Sequence, residues 1–304
     1  MHSKNLDKIE GVFDVDTVSS FKDLLEKKNA LFPDKERWIF RGEESAEWRL
    51  KTIFERAMDD SKLKDQKPWE YEAAILREFI RRAHHYISEA SLPKNVLEWF
   101  ALMRHYGAPC RLLDCTYSFY IAMYFALRKP RKAGDSDLAA IWAINTDWIY
   151  ECLCKTFNKG REEFTFKDPN KFYNYFLDHN NPQTFVSYVN PFRMNQRLTA
   201  QQGVFLCPGD ISKPFMNNFV KPGTQENPKH IIRIPIVLSS KTEVIQELRR
   251  MNITSATLFP DLPGFAESLS DWFHLGIRLN EDELVETLMG KFPGETQESQ
   301  LTKR

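Results

Sequence analysis

The stretch LMRHYGAPCRLLDCTYSFYIAMYFAL, residues 102–127, decides the fold, because it contains the end of a predicted helix, then a predicted strand and then a second predicted helix. Gly107 and Pro109 end a helix predicted over about 94–106, since glycine favours the residue after a helix and proline cannot continue one. The run RLLDCT then predicts a short strand, and SFYIAMYFALRK predicts a helix. After the turn GDSD, the apolar run LAAIWAIN predicts a buried strand. A strand, a helix and a strand therefore follow one another between about 111 and 145.

Apolar periodicity extends this organisation in both directions along the chain. It predicts helices over about 17–29, 69–87, 240–251 and 264–274 and in DPNKFYNYFLD, and strands at WIFRG, TFVSYVNP, QGVFLCPG and HIIRIPIVL. Pro235 in the last of these strands predicts an edge position or a strand end, because proline donates no hydrogen bond. We find no internal repeat and no low-complexity linker. The sequence therefore predicts a single mixed α+β domain over residues 31–290, preceded by a helical extension at 1–30 and followed by a disordered tail at 291–304.

Composition limits the classes of function. The chain has 304 residues, and its 42 lysines and arginines balance its 42 aspartates and glutamates. With no global positive field, nonspecific coating of nucleic acid is disfavoured, although a local basic pocket is not. The five cysteines form no paired CxxC motif, so we predict reduced thiols and no metal site. No apolar run approaches the roughly 18 residues that cross a bilayer, and we expect a cytoplasmic protein without membrane contact.

Two patches place polar residues at the ends of elements. Arg41 follows an aromatic residue in FRG, where its planar guanidinium suits an anion and Gly42 would let a phosphate approach the backbone. The alternative for Arg41 is an ordinary surface arginine. His105 and Tyr106 end the helix of RHYG, and their alternatives are a C-terminal cap, a core residue or packing.

Two further patches flank the strands. Arg111 and Asp114 are three residues apart on an extended segment, so they point to opposite faces and do not pair with each other. Asp114 precedes a helix, where it could serve as a cap, directly or through Thr116. Gln201 and Gln202 precede a strand, and the alternative there is a plain turn.

Taken together, these segments resemble the FRG-domain family. The resemblance rests on FRG, on residues 102–127, and on AAIWAIN, RLTAQQGVF and TSATLFPDLPGFAESL, and it runs from about Trp38 to Leu269. Two positions depart from the family pattern, which commonly has threonine where Cys110 stands and tryptophan where Cys115 stands. Residues 31–290 would then form the FRG domain.

The order of elements is also similar to that of ADP-ribosyltransferases. This resemblance implies a split, twisted sheet flanked by helices, with NAD as the substrate and a protein or a nucleic acid as the acceptor. It implies catalytic roles for His105, Asp114 and Gln202, and a nucleotide site formed by Arg41, Gly42, Tyr106, Arg111, Thr116 and Gln201. Arg41 would hold the pyrophosphate, and His105 and Thr116 would hold the ribose and the nicotinamide side.

The glutamate of that superfamily is missing, because neutral Gln202 stands in the matching segment. Loss of a preorganised charge typically costs two to three orders of magnitude in rate. Glu43, Glu44 or Asp114 could replace the charge. Three hypotheses follow: an enzyme that cleaves the nicotinamide–ribose bond of NAD, a nucleotide-binding sensor without catalysis, and a hydrolase or nuclease with His105 as its base.

Overall fold

The computed structural model describes residues 8–33, 37–61, 67–129, 137–165, 168–219, 229–270, 278 and 280–289. Its strands are β1 (Phe13–Asp14), β2 (Trp38–Glu43), β3 (Leu113–Thr116), β4 (Leu138–Asn145), β5 (Val186–Val189), β6 (Gly203–Pro208) and β7 (Ile231–Val237). The tail predicted as disordered, 291–304, lies outside the described residues.

The helices of the described part surround this set of strands. They are α1 (Phe21–Leu31), α2 (Ile53–Ser61), α3 (Pro68–Ala83), α4 (Val96–His105), α5 (Phe119–Leu127), α6 (Thr146–Phe157), α7 (Pro169–Phe172), α8 (Gln196–Ala200), α9 (Lys241–Arg250), α10 (Ser255–Leu258), α11 (Leu262–Ser268) and α12 (Glu281–Leu288). None of the helices in these ranges is long and apolar enough to cross a membrane.

The strands form one mixed sheet in the order β1-β7-β4-β2-β3-β6-β5. β1 runs parallel to β7, and the other neighbouring strands are antiparallel. Both faces of the sheet are covered, because Trp142 of β4 belongs to the core beside α4 and α6, whereas Ile141 belongs to the core beside α5 and α9. The predicted α+β class is confirmed.

The sheet splits between β2 and β3. β2 pairs with β4 along all six of its residues, but it shares with β3 only the pair Phe40–Thr116. Beyond that pair, Nη1 of Arg41 donates a hydrogen bond of 2.7 Å to the carbonyl oxygen of Asp114. A side chain therefore replaces the backbone ladder at this point, and a cleft opens between the two strands.

Gly42 explains how α5 packs against β2. A Cβ atom at this position would lie 2.0 Å from the carbonyl oxygen of Ala122 and 2.4 Å from the nitrogen of Ala126, both in the backbone of α5. Only a residue without a side chain permits this approach. The space that the missing side chain leaves is therefore filled by α5 rather than left open for a phosphate.

Several predicted elements differ from the structure. β7 lies between β1 and β4 rather than at an edge, and Pro235 is tolerated because the two residues of β1 pair only with Ile232 and Arg233. The helix predicted over 264–274 corresponds to α11, which spans Leu262–Ser268, and residues 271–274 of the predicted range lie outside the described part. The sequence did not indicate α2, α6 or α8, which occupy polar or aromatic stretches.

Candidate functional site

The cleft at the split of the sheet encloses ≈ 230 Å³. The ends of α4 and α5, the short helix α8 and Phe259 after α10 complete its walls. Among the residues predicted to be functional, those that line it are Arg41, Gly42, Glu43, Glu44, His105, Asp114, Thr116 and Gln201. Distant segments of the chain therefore meet in one place.

Arg41 is held rigidly between the two strands. Its Nε donates to Oε1 of Glu43 at 2.6 Å, and its Nη1 donates to the carbonyl oxygen of Asp114 at 2.7 Å. Burial alone would lower the pKa of Arg41, but the carboxylates of Glu43 and Asp114 more than offset this effect and raise that pKa. The side chain is 16% exposed, so the alternative of an ordinary surface arginine is wrong.

Asp114 presents one oxygen to the cleft. Its Oδ2 accepts a hydrogen bond of 2.6 Å from Nε of Arg104, and Nη2 of Arg104 contacts the same oxygen. Among the described residues, no donor lies on Oδ1, and the side chain is 42% exposed. The carboxylate is thus oriented by one arginine and retains a free oxygen.

The other two carboxylates of the cleft are also paired with cations. Glu43 is 4% exposed and contacts Arg41, with Nη2 of Arg56 at 3.8 Å from its Oε1. Oε1 of Glu44 lies 2.8 Å from Nζ of Lys129. Because every acidic side chain that lines the cleft has a cationic partner, the cations that remain determine its potential.

Arg128 and Arg197 supply that remaining positive charge. Their Cζ atoms lie 4.6 Å and 4.4 Å from the ring centroid of Phe259. Nη1 of Arg128 is buried without an acceptor in the described part, and its Nη2 lies 3.4 Å from Oε1 of Glu267. Arg197 has no carboxylate within ion-pairing distance among the described residues, and burial lowers its pKa, helped by the charge of Arg128.

His105 adds a neutral imidazole to the cleft. Burial lowers its pKa below the ordinary value, and the charge of Arg197 lowers it further, with Asp261 acting in the opposite direction. At neutral pH this ring is therefore uncharged, and it can accept a proton or a hydrogen bond.

Hydrogen bonds of Thr116 and Gln201 connect the walls of the cleft. The hydroxyl of Thr116 donates to the carbonyl oxygen of Gln201 at 2.7 Å, and Nε2 of Gln201 donates to the carbonyl oxygen of Leu258 at 3.0 Å. Through the second bond Gln201 fixes α10 and the adjoining Phe259. The cap of α5 is Ser118, which accepts from the nitrogen of Ile121, so Asp114 is not a helix cap.

Three predicted residues lie elsewhere. Arg111 is fully buried and forms a forked ion pair with Glu72, so it stabilises the core rather than contacting a ligand in the cleft. Tyr106 is 62% exposed and lines a separate apolar groove between α3 and α4. Gln202 is exposed in a turn at φ 46°, where its carbonyl oxygen accepts from the nitrogen of Tyr117, so the plain-turn alternative holds.

Sequence reasoning missed several residues of the cleft, among them Arg104, Arg128, Arg197 and Phe259. A usable signal was present, because Arg104 stands in RHYG, Arg197 in RLTAQQGVF and Phe259 in TLFPDLPG, all segments that carry the family resemblance. A charged side chain within such a segment is a candidate site residue for the same reason as Arg41.

Residues 36–135 match the family model of the FRG domain, which confirms the predicted resemblance to that family for this part of the chain. The matched part includes Arg41, Asp114 and Arg128, whereas Arg197 and Phe259 lie beyond it. No curated protein and no solved structure matches the chain.

Proposed function

We propose that the cleft binds a phosphorylated nucleotide. The observation that carries the proposal is its local charge, since five basic and three acidic side chains line it in a chain whose formal net charge is zero. Each of those acids is paired with a cation. An anion entering such a site meets a positive potential that bulk water screens poorly.

The remaining surface of the cleft suits the other parts of a nucleotide. Phe125 offers an aromatic ring for a base, and the imidazole of His105 offers a polar group for a sugar. Small-molecule sites usually measure about 300–1,000 Å³. A cleft of ≈ 230 Å³ therefore suits a mononucleotide or one half of a dinucleotide such as NAD.

Calorimetric titration of the full chain with NAD, ADP-ribose and AMP tests this proposal, with adenosine as the uncharged control. We expect saturable binding of at least one phosphorylated ligand, weaker binding of adenosine, and an affinity that falls as salt rises. The proposal fails if none of the three phosphorylated ligands binds more tightly than adenosine.

A second candidate function is cleavage of NAD with transfer of ADP-ribose to a macromolecule. Two observations favour it: β2, β3 and β6, which carry the segments that resemble ADP-ribosyltransferases, are neighbours in the sheet, and Oδ1 of Asp114 is free in the cleft. When the bond between nicotinamide nitrogen and ribose C1′ breaks, its electron pair leaves with nicotinamide and positive charge develops on the ribose. The carboxylate of Asp114 would stabilise that charge while an acceptor hydroxyl attacks C1′ and loses its proton to His105.

Release of nicotinamide from NAD, measured by chromatography with RNA and protein acceptors present, tests this candidate. Asp114→Asn preserves the size of the side chain and should slow release by about 100- to 1,000-fold, because it removes the charge. If NAD binds but neither the wild type nor the variant releases nicotinamide above the uncatalysed rate, the transferase fails and the sensor hypothesis stands.

A further inference from the structure

Two arginines share one aromatic ring in the cleft. Arg128 caps the C-terminal end of α5, and Arg197 lies in the first turn of α8, so they come from separate helices. We propose that Arg128 and Arg197 together bind the phosphate group of the nucleotide, with Phe259 holding both guanidiniums in place. This assignment rests on the proposed function for the rest of the ligand.

The spacing of the two guanidiniums fits one phosphate. Since their Cζ atoms lie 4.6 Å and 4.4 Å from the same ring centroid, they are at most about 9 Å apart. A guanidinium that binds a phosphate through two hydrogen bonds places its Cζ about 4 Å from phosphorus. One phosphorus atom reaches both side chains if their Cζ atoms lie within about 8 Å of each other, and the two distances to the ring centroid permit this spacing.

The electrostatics of the pair indicate an anion. Nη1 of Arg128 is buried with no acceptor in the described part of the chain, which is a costly state for a charged donor. Two nearby cations repel one another in a partly buried site, and the burial and mutual repulsion of Arg197 and Arg128 are what lower the pKa of Arg197. A bound phosphate would provide acceptors and would cancel the repulsion.

In the described part of the chain, few acidic side chains compete with a phosphate for Arg128 and Arg197. Glu267 lies 3.4 Å from Nη2 of Arg128 with its own side chain 50% exposed, and Asp114 and, more weakly, Asp261 attract Arg197 without forming an ion pair with it in the described part of the chain. Arg104 is already committed to Asp114. The acids therefore reduce the positive potential around Phe259 without removing it.

Arg41 has a different role in this assignment. Its charge is matched by Glu43 at 2.6 Å, and its Nη1 bridges the split strands through the carbonyl oxygen of Asp114. It is a positioning residue that sets the shape of the cleft. The sequence resemblance assigned the phosphate to Arg41, and the geometry points instead to Arg128 and Arg197.

The ligand class is a phosphate oxyanion, and it could come from a terminal phosphomonoester or from the pyrophosphate of a dinucleotide. Both carry about two negative charges at neutral pH. Titration with AMP on one hand and with ADP-ribose on the other distinguishes the two sources, and inorganic pyrophosphate reports the anion site without any base or sugar.

The test is titration of these three ligands and adenosine into the wild type, Arg197→Gln and Arg128→Gln. Arg193→Gln is the matched control, because it removes an exposed arginine four residues from Arg197 that does not line the cleft. We expect each cleft variant to weaken the phosphorylated ligands by about 10- to 100-fold, as for loss of a charge-assisted hydrogen bond. Adenosine should bind the variants and the wild type equally.

Glu267→Gln provides a gain of affinity that does not depend on whether the arginine variants fold. It removes the acid that competes for Nη2 of Arg128, so we expect pyrophosphate to bind about two- to fivefold more tightly, in keeping with a partly exposed ion pair.

The assignment is overturned if nucleotides bind the wild type and folded Arg197→Gln equally, and in that case the proposed function stands. Unchanged or weaker pyrophosphate binding in Glu267→Gln also overturns it. If instead pyrophosphate depends on the two arginines but no nucleotide binds, the proposed function fails and the anion site remains.

Discussion

Replacing Gly42 with alanine tests why this chain needs glycine after Arg41. The new Cβ would lie 2.0 Å from the carbonyl oxygen of Ala122, whereas Cβ atoms essentially never approach a heavy atom within 3.0 Å. Because the obstacle is backbone, no side chain can swing away, and α5 must move from β2 by at least about 1 Å. Overpacking of a core usually costs about 1–3 kcal/mol, and this displacement of a whole buried helix should lie at the upper end.

The same movement should reach the cleft, because Arg128 caps α5 and would shift relative to Phe259. We therefore expect Gly42→Ala to lower the free energy of unfolding by about 3 kcal/mol and also to weaken AMP binding. Urea denaturation monitored by circular dichroism gives the first quantity, provided that the slope with urea is unchanged. Calorimetry gives the second.

Gly107→Ala is the control for this substitution. Gly107 has φ 79° and open space around the position of a Cβ atom, so alanine there is strained but does not clash. We expect a cost of about 1–2 kcal/mol from the left-handed conformation alone, with AMP affinity preserved. If Gly42→Ala changes the free energy of unfolding by less than Gly107→Ala does, the packing explanation of Gly42 is wrong.

Three further substitutions separate the roles of residues near the cleft. Glu72→Gln leaves buried Arg111 without its carboxylate, so the free energy of unfolding measured by urea denaturation should fall by about 3–5 kcal/mol. A decrease of less than about 1 kcal/mol would contradict a structural role for this ion pair. Tyr106→Ala should leave the AMP affinity unchanged, because its exposed ring lies outside the cleft, and a tenfold loss in calorimetry would return Tyr106 to the site. Burial and the charge of Arg197 lower the pKa of His105, and a bound anion would raise that pKa, so the affinity of the wild type for ADP-ribose should rise as the pH falls from about 7 to 5. His105→Gln should abolish this pH dependence. If the affinities of the two proteins change equally with pH, His105 is not the cause.

Much of the fold was predictable from local sequence patterns. Ser20 caps α1 and Pro68 begins α3, and each of these signals acts within one turn of helix. By contrast, α6 follows β4 without a break, and its mixture of aromatic and polar residues gave no clear period. The interior position of Pro235 was unpredictable for another reason, because it depends on how short a distant partner strand is.

The cleft was predictable only in part. Arg41, His105 and Asp114 stood out because each ends an element beside a glycine or a helix start. The partners that set their chemistry are distant in sequence: Asp114 meets Arg41 across 73 residues, and Gln201 reaches Leu258 across 57. The periodicity of apolar residues along the sequence gives no information about such contacts. For the same reason sequence alone could not separate Arg111, which is buried against Glu72, from the arginines that face the cleft.

Diffraction from crystals of the full chain grown with ADP would test the central claim most directly. We predict electron density for a phosphate between the guanidiniums of Arg128 and Arg197, beside the ring of Phe259, with the bond between Arg41 and the carbonyl oxygen of Asp114 intact. A phosphate bound instead by Arg41, with Arg128 and Arg197 unoccupied, would contradict the account.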